Sequence, residues 1–273
     1  MFQPSRREAV AGAVRRVCLV AAATLTLACS ALAEPQGRQG VLFQHSTIGA
    51  LMQGLYDGTL SVGQLRREGD FGLGTFHALD GELIVYGGVV YQARSDQAVV
   101  RVPDTVRTPF ATVTRFRPTV SAAVEARTRL EALEQRMESL VGSRNAFVAF
   151  RVRGTFAEVR LRSVPAQSKP YPGLAAAAAG QSVYAAGPIH GTLIGFRTPD
   201  YAFTLNVPGY HCHFLSDDRK VAGHVLACAL ASGRIEAQPL RRVALSLPDG
   251  PDFDAASLGK DERAGIAKVE KGR

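Results

Sequence analysis

Between Val41 and Val62 the apolar residues Ile48, Leu51, Met52 and Leu55 recur at helical spacing. Ser46 or Thr47 stands where a cap belongs and Asp57-Gly58 where a helix stops, so the pattern predicts a helix there. Val62–Glu68 predicts a second, short helix. At residue 69 the period changes from helical to alternating. ELIVYGGVVYQAR, from Glu82 to Arg94, reads as strand, Gly-Gly turn, strand, with a further turn signal just before it at Leu79-Asp80-Gly81. Phe110–Phe116 predicts another strand. From Ser121 to Val141 a stripe of Val124, Leu130, Leu133, Met137, Leu140 and Val141 faces arginines and glutamates, predicting the longest helix of the chain. Phe147–Arg153 and Phe156–Val164 read as two strands on either side of Gly154. The stiff segment Lys169-Pro170-Tyr171-Pro172-Gly173 leads into LAAAAAGQ, a short helix ending at Gly180. Residues 188–247 then read as mostly antiparallel strands, followed by a polar tail. The proline-rich segment is the best place to divide the chain, into an N-terminal α/β subdomain with a mixed sheet (34–175) and a mainly antiparallel β subdomain (176–273).

Residues 1–33 have a different character. An arginine-rich start, an apolar run from Val17 to about Ala28 and Ala31-Leu32-Ala33 before Glu34 are the three parts of a secretory signal peptide. The apolar run is short for a membrane span. Ser5-Arg6-Arg7 allows a twin-arginine variant. The expected location is therefore exported, periplasmic or secreted, with no membrane attachment after cleavage. Cleavage removes Cys18 and Cys29 and leaves Cys212 and Cys228, too few for a disulfide framework, with a single bond between them as the alternative to two free thiols.

The 273 residues include 46% apolar and 21% charged residues, ordinary for a globular protein with a substantial core. Tryptophan is absent, so no aromatic sugar-binding platform is indicated. The net charge of +8 includes +3 from the leader, and the remaining basic residues are scattered among acids. That leaves no electrostatic footprint for nucleic acid. Glycines 69, 72 and 74 do not have dinucleotide-fingerprint spacing, and a hairpin rather than a helix follows them.

Three of the six histidines fall within GYHCHFLSDDRKVAGHV. On a strand, His211 and His213 face one side with Cα atoms about 6.5–7 Å apart, and Cys212 faces the other way into packing. Ser216-Asp217-Asp218-Arg219-Lys220 is a good turn, and a hairpin through it returns His224 opposite the pair. Three imidazoles so placed can share one cation at about 2.0–2.1 Å per bond, favouring zinc, with nickel, copper and iron as alternatives. Three neutral ligands leave a coordination position open, as catalytic sites do. His45, His77 and His190 show no partnering pattern and read as structural.

LFQHSTIGALMQGLYDG, GDFGLGTFHALDGELIVYGGVVYQ, TPFATVTRF and LIGFRTPDYAFTLNVPGYHCHFLSDDRKVAGHVL resemble α-acetolactate decarboxylase over most of the chain after residue 40. The resemblance implies an α+β fold of two mainly β subdomains, and Zn2+ held by His211, His213 and His224. It also implies catalytic roles for Glu82 in the Leu79–Glu82 turn, Arg162 in LRSV, and Glu270, carried by a C-terminal tail that reaches back to the metal. Thr75 of Gly74-Thr75-Phe76 is placed near the metal. The implied substrate is a small molecule, 2-acetolactate or a related 2-hydroxy-3-keto acid, and the implied assembly is a homodimer.

The residue types suit that chemistry. Loss of CO2 from acetolactate drives an electron pair toward the neighbouring ketone, giving an enediolate. A Lewis-acid metal and a fixed guanidinium stabilise such charge. A carboxylate can take and return a proton. Two rival readings remain from the sequence. One is a cupin-like metalloenzyme such as an oxygenase, suggested by Gly209-Tyr210-His211-Cys212-His213. It lacks the glutamate expected shortly after the pair, having Asp217 and Asp218, and lacks a second cupin motif. The other is an exported, non-catalytic metal-binding protein.

Overall fold

Gly87 and Gly88 both adopt positive φ, 60° and 74°. This is the geometry of a two-residue turn whose twist matches the flanking strands, and it joins Glu82–Tyr86 to Val89–Ala93 as the sequence predicts. In the computed structural model, which describes residues 40–271, that hairpin belongs to a seven-stranded sheet. Its order is Arg242–Ser246, Val41–His45, Ala111–Thr114, Phe71–Thr75, Glu82–Tyr86, Val89–Ala93, Val99–Arg101. All neighbours are antiparallel except the first pair, which makes the sheet mixed.

The second sheet is built on two long strands, Phe147–Ser163 and Ala222–Leu240. Ile189–Thr198 and Gly209–Ser216 connect them on one side, and the two long strands also pair directly, so four strands close a ring of pairings. Ser182–Ala186 extends the sheet along Phe147–Ser163. Phe150, Phe156, Phe214, Leu230 and Ile235 fill one face together with Leu133 and Met137 of helix Leu130–Val141. Between the two sheets lie Leu42, Phe71, Leu73 and Ile84 against Phe147, Ile194, Phe196 and Leu215. A third apolar cluster joins Ile48, Leu51, Leu79, Phe110, Val164 and Leu174 to Ile266 and Val269 of the C-terminal helix Arg263–Lys271. The α+β class expected from the sequence is the class observed.

Several elements differ from the sequence expectation. The first helix starts after its Thr47 cap as expected but ends at Met52, short of Asp57-Gly58, because the chain turns at Gly54, whose φ is +87°; Val41–His45 before it is a strand. The predicted helix 121–141 begins at Leu130; its first part is a strand, Val120–Val124, paired with Gly233–Ala237. There the pairing partner overrides local helix propensity. The two strands expected around Gly154 are one. A Cβ at Gly154 would lie 2.1 Å from the Ser232 carbonyl oxygen, so the glycine permits close approach of the neighbouring strand without breaking its own. The sheets do not divide at residue 175: Phe147–Ser163 is in the second sheet and Arg242–Ser246 in the first, and the described residues, 40–271, belong to one compact unit. The polar tail carries two helices, Pro251–Asp254 and Arg263–Lys271. Cys212 and Cys228 are buried and unbonded, with Cys212 in the core as its strand parity requires. The leader lies outside the described residues. Among the described residues no helix is long and apolar enough to cross a membrane.

Candidate metal centre and active site

His211 and His213 project from Gly209–Ser216, and His213 is the direct register partner of His224 on the adjacent strand. The turn at residues 217–221 thus performs the return that brings the third histidine to the pair. Ligand atoms of the three lie within 4.8 Å of one another, with His211 Nε2 and His213 Nε2 3.3 Å apart. His213 Nδ1 donates to the Leu83 carbonyl at 2.9 Å, which fixes its tautomer and leaves Nε2 as the lone-pair donor.

Two carboxylates close on the cluster from different elements. Glu82 starts the hairpin strand; its Oε2 is 3.4 Å from His213 Nε2 and its Oε1 accepts from Arg162 Nη1 at 3.1 Å. Arg162, 5% exposed, projects near the end of Phe147–Ser163, where its register partner is His224. Arg160, two residues earlier, is exposed. Glu270 reaches in from the last helix, with Oε2 3.7 Å from His211 Nε2 and 3.6 Å from His224 Nε2. Its backbone carbonyl accepts from His224 Nε2 at 3.0 Å. Thr75 is the register partner of Glu82, and its hydroxyl donates to the Gly81 carbonyl at 2.8 Å.

Burial sets the charge states. It pushes the His211 imidazole down to about 3, helped by the nearby Arg162 cation, and holds His213 and His224 well below the usual histidine range. All three are therefore neutral, the form that binds metal. Burial pushes Glu82 up to about 7 against the pull of Arg162, with Glu270 adding repulsion. Glu270 is likewise raised to about 7 by burial, opposed by Arg162. The buried Nδ1 atoms of His211 and His224 and Oε2 of Glu270 have no hydrogen-bond partner. Three neutral imidazoles beside acidic oxygens, some buried without a partner, suit a divalent cation of zinc's type.

A pocket of about 40 Å3 bounded by Thr75, Glu82, Arg162, His211 and Glu270 adjoins the cluster, roofed by apolar side chains including Leu51 and Val269. The six residues singled out in the sequence thus converge. Sequence reasoning missed the Leu83 carbonyl that orients His213, and the apolar roof; the roof residues look like any other core positions. The remaining histidines are structural: His45 bonds Thr59 and Ser246, His77 accepts from the Gly58 amide, and His190 pairs with Thr155.

Residues 42–260 match the sequence family described as alpha-acetolactate decarboxylase, a stretch that includes every site residue except Glu270. The alpha-acetolactate decarboxylase of Methylococcus capsulatus is 42% identical over 229 residues, covering 84% of this chain and 88% of that protein. The Methanosarcina mazei protein of the same name is 42% identical over 231 residues, covering 85% and 80%. The crystal structure of the Bacillus subtilis alpha-acetolactate decarboxylase superimposes with a TM-score of 0.82 at 35% identity, over 85% of this chain and all of that one. On the length and level of these matches, this chain belongs to the α-acetolactate decarboxylase family.

Proposed function

We propose that this chain decarboxylates 2-acetolactate to acetoin and CO2 in a metal-dependent reaction. The observation that carries the reading is the convergence of three neutral buried imidazoles, two carboxylates and one guanidinium in a single cluster. His211, His213 and His224 would hold the metal, and Zn2+ suits the set. Once bound, it would supply Lewis acidity against the negative charge that departing CO2 leaves on the substrate oxygens.

The chain's own residues cover the rest. Arg162 carries a permanent cation at the pocket wall, so it orients the substrate carboxylate and faces the developing negative charge. The C–C bond to that carboxylate breaks, its electron pair moves toward the ketone, and one proton is returned to carbon. Glu82, raised to about 7, can hold a proton on Oε2 near neutral pH and exchange it. Glu270 closes the pocket on the side of the C-terminal helix, where Val269 beside it excludes water.

The experiment is incubation of residues 34–273 with racemic 2-acetolactate, following acetoin and CO2. Acetoin forms faster than spontaneously, the excess disappears with a chelator and returns with Zn2+. Folded, metal-loaded protein that gives no acceleration would remove the assignment. Glu82→Gln retaining full activity would remove Glu82 from the mechanism. The leader and the family likeness further carry an exported homodimer, which N-terminal sequencing and sedimentation of the mature protein test.

A further inference from the structure

Two cavities meet at Glu270. One is the pocket of Glu82 and Arg162. The other, about 350 Å3, lies between helix Leu130–Val141 and the C-terminal helix, and is lined by Glu131, Glu134, His224, Glu270 and Lys271 among others. It follows from the way two strands part. Gly209–Ser216 and Ala222–Leu240 pair over only three residues, and the pairing ends at His213 and His224. Beyond that point the first strand stays with Ile189–Thr198 and the second with Phe147–Ser163. The parting leaves a way to His224 that is separate from Arg162's pocket.

The charge of this cavity is one-sided. Glu131 and Glu134, one helical turn apart, share a face. Glu138, the next acid on that helix, is tied to Arg197 at 3.2 Å and to Tyr210 at 2.9 Å. Glu131 and Glu134 then stand with Glu270 against a single ammonium, Lys271. At the inner end His224 is 2% exposed and its Nδ1 has no hydrogen-bond partner, as is true of Glu270 Oε2. An acidic, low-dielectric cavity concentrates cations and repels a carboxylate substrate, whereas the other pocket carries Arg162.

We propose that this cavity is the loading route for the divalent cation of the histidine centre, with Glu131 and Glu134 as a transient capture site at its entrance. The proposal rests on the metal reading above and adds a path to it. Burial and the carboxylates of Glu131 and Glu138 disfavour the charge on Glu134 against the pull of Lys271, a cost that a passing cation further relieves.

The test uses chelator-stripped protein mixed rapidly with Co2+, whose visible absorption reports arrival at the histidines. In Glu131→Gln/Glu134→Gln the second-order uptake constant falls about three- to tenfold at low ionic strength and depends less on salt. Final Co2+ content equals that of wild type. Asp249→Asn/Asp252→Asn, which removes the same charge from another surface, loads at the wild-type rate. Wild-type rates in the first variant, equal slowing in both, or a lower final content in the first would each overturn the route. Absence of Co2+ absorption in wild type would instead overturn the metal reading itself, and the route with it.

Discussion

His213 and Glu270 contribute to one cluster but are held there by different means. His213 is fully buried in mid-strand, with Ile194 as its register partner on one side and His224 on the other, and its ring is bonded to the Leu83 carbonyl of the opposing sheet. Glu270 rides on a nine-residue helix whose buried side chains are Ile266 and Val269. The histidine is positioned by the same pairings that make the core, so it is placed as soon as the chain folds. The glutamate is positioned by the docking of two apolar side chains, each contributing roughly 1.5–3 kcal/mol before the ordering of the helix is charged against them. One half of the site is part of the scaffold, and the other is attached to it.

The largest effect expected from this contrast is that of His213→Ala. Removal of one of three imidazoles abolishes tight metal binding, and kcat falls by about 10^3-fold or more, the loss of several kcal/mol of charge stabilisation. Metal content by atomic absorption and acetoin formation measure the two losses. A variant that keeps both would mean that the cluster is a packing feature.

Ile266→Ala separates the halves with a smaller effect. Truncation of a buried isoleucine costs about 2–5 kcal/mol of packing where the surroundings cannot collapse, and here the cost falls on helix docking. Amide exchange rises across residues 263–271 and kcat/KM drops, while metal affinity and the melting of the sheets change little. Equal loosening of Gly209–Ser216 would show that helix and scaffold are one cooperative unit, and the contrast would fail.

The same contrast explains what the sequence revealed. His211 and His213 were legible because strand parity is a local rule, and His224 because a turn-forming run stood at the right distance. The Gly-Gly hairpin was legible for the same reason. Glu82 and Glu270 have no such local signature: a carboxylate on a turn or near a chain end reads as solvated, and only likeness to a family marked them. Residues 121–124 read as helix because Val124 continues the apolar stripe of Leu130 and Leu133, while the decision rests on pairing with Gly233–Ala237, more than a hundred residues away. The parallel pairing of Val41–His45 with Arg242–Ser246 is equally non-local, so no window of sequence could have placed the boundary between the sheets.

The smallest expected effect compares His45 with the triad. Burial lowers His45 as well, to about 4 from its usual 6.5, against the opposing hydrogen bond to Ser246. Unlike His211 and His224, whose Nδ1 atoms have no partner, His45 has both ring nitrogens engaged, Nε2 with the Thr59 hydroxyl at 2.7 Å and Nδ1 with Ser246 Oγ at 3.3 Å. Its titration should therefore affect stability and leave metal binding alone. The unfolded chain takes up the proton near pH 6.5 and the folded one only near pH 4, so stability contributed by neutral His45 is complete above pH 6.5 and drains away as the pH falls toward 4. Denaturation of metal-free wild type and His45→Gln over that range isolates the effect from the triad, whose titration is common to both proteins. The stability difference in favour of wild type should shrink steadily on acidification. A difference that stays constant between pH 7 and 4 would mean that His45 titrates alike in the folded and unfolded chains, and that burial does not lower it.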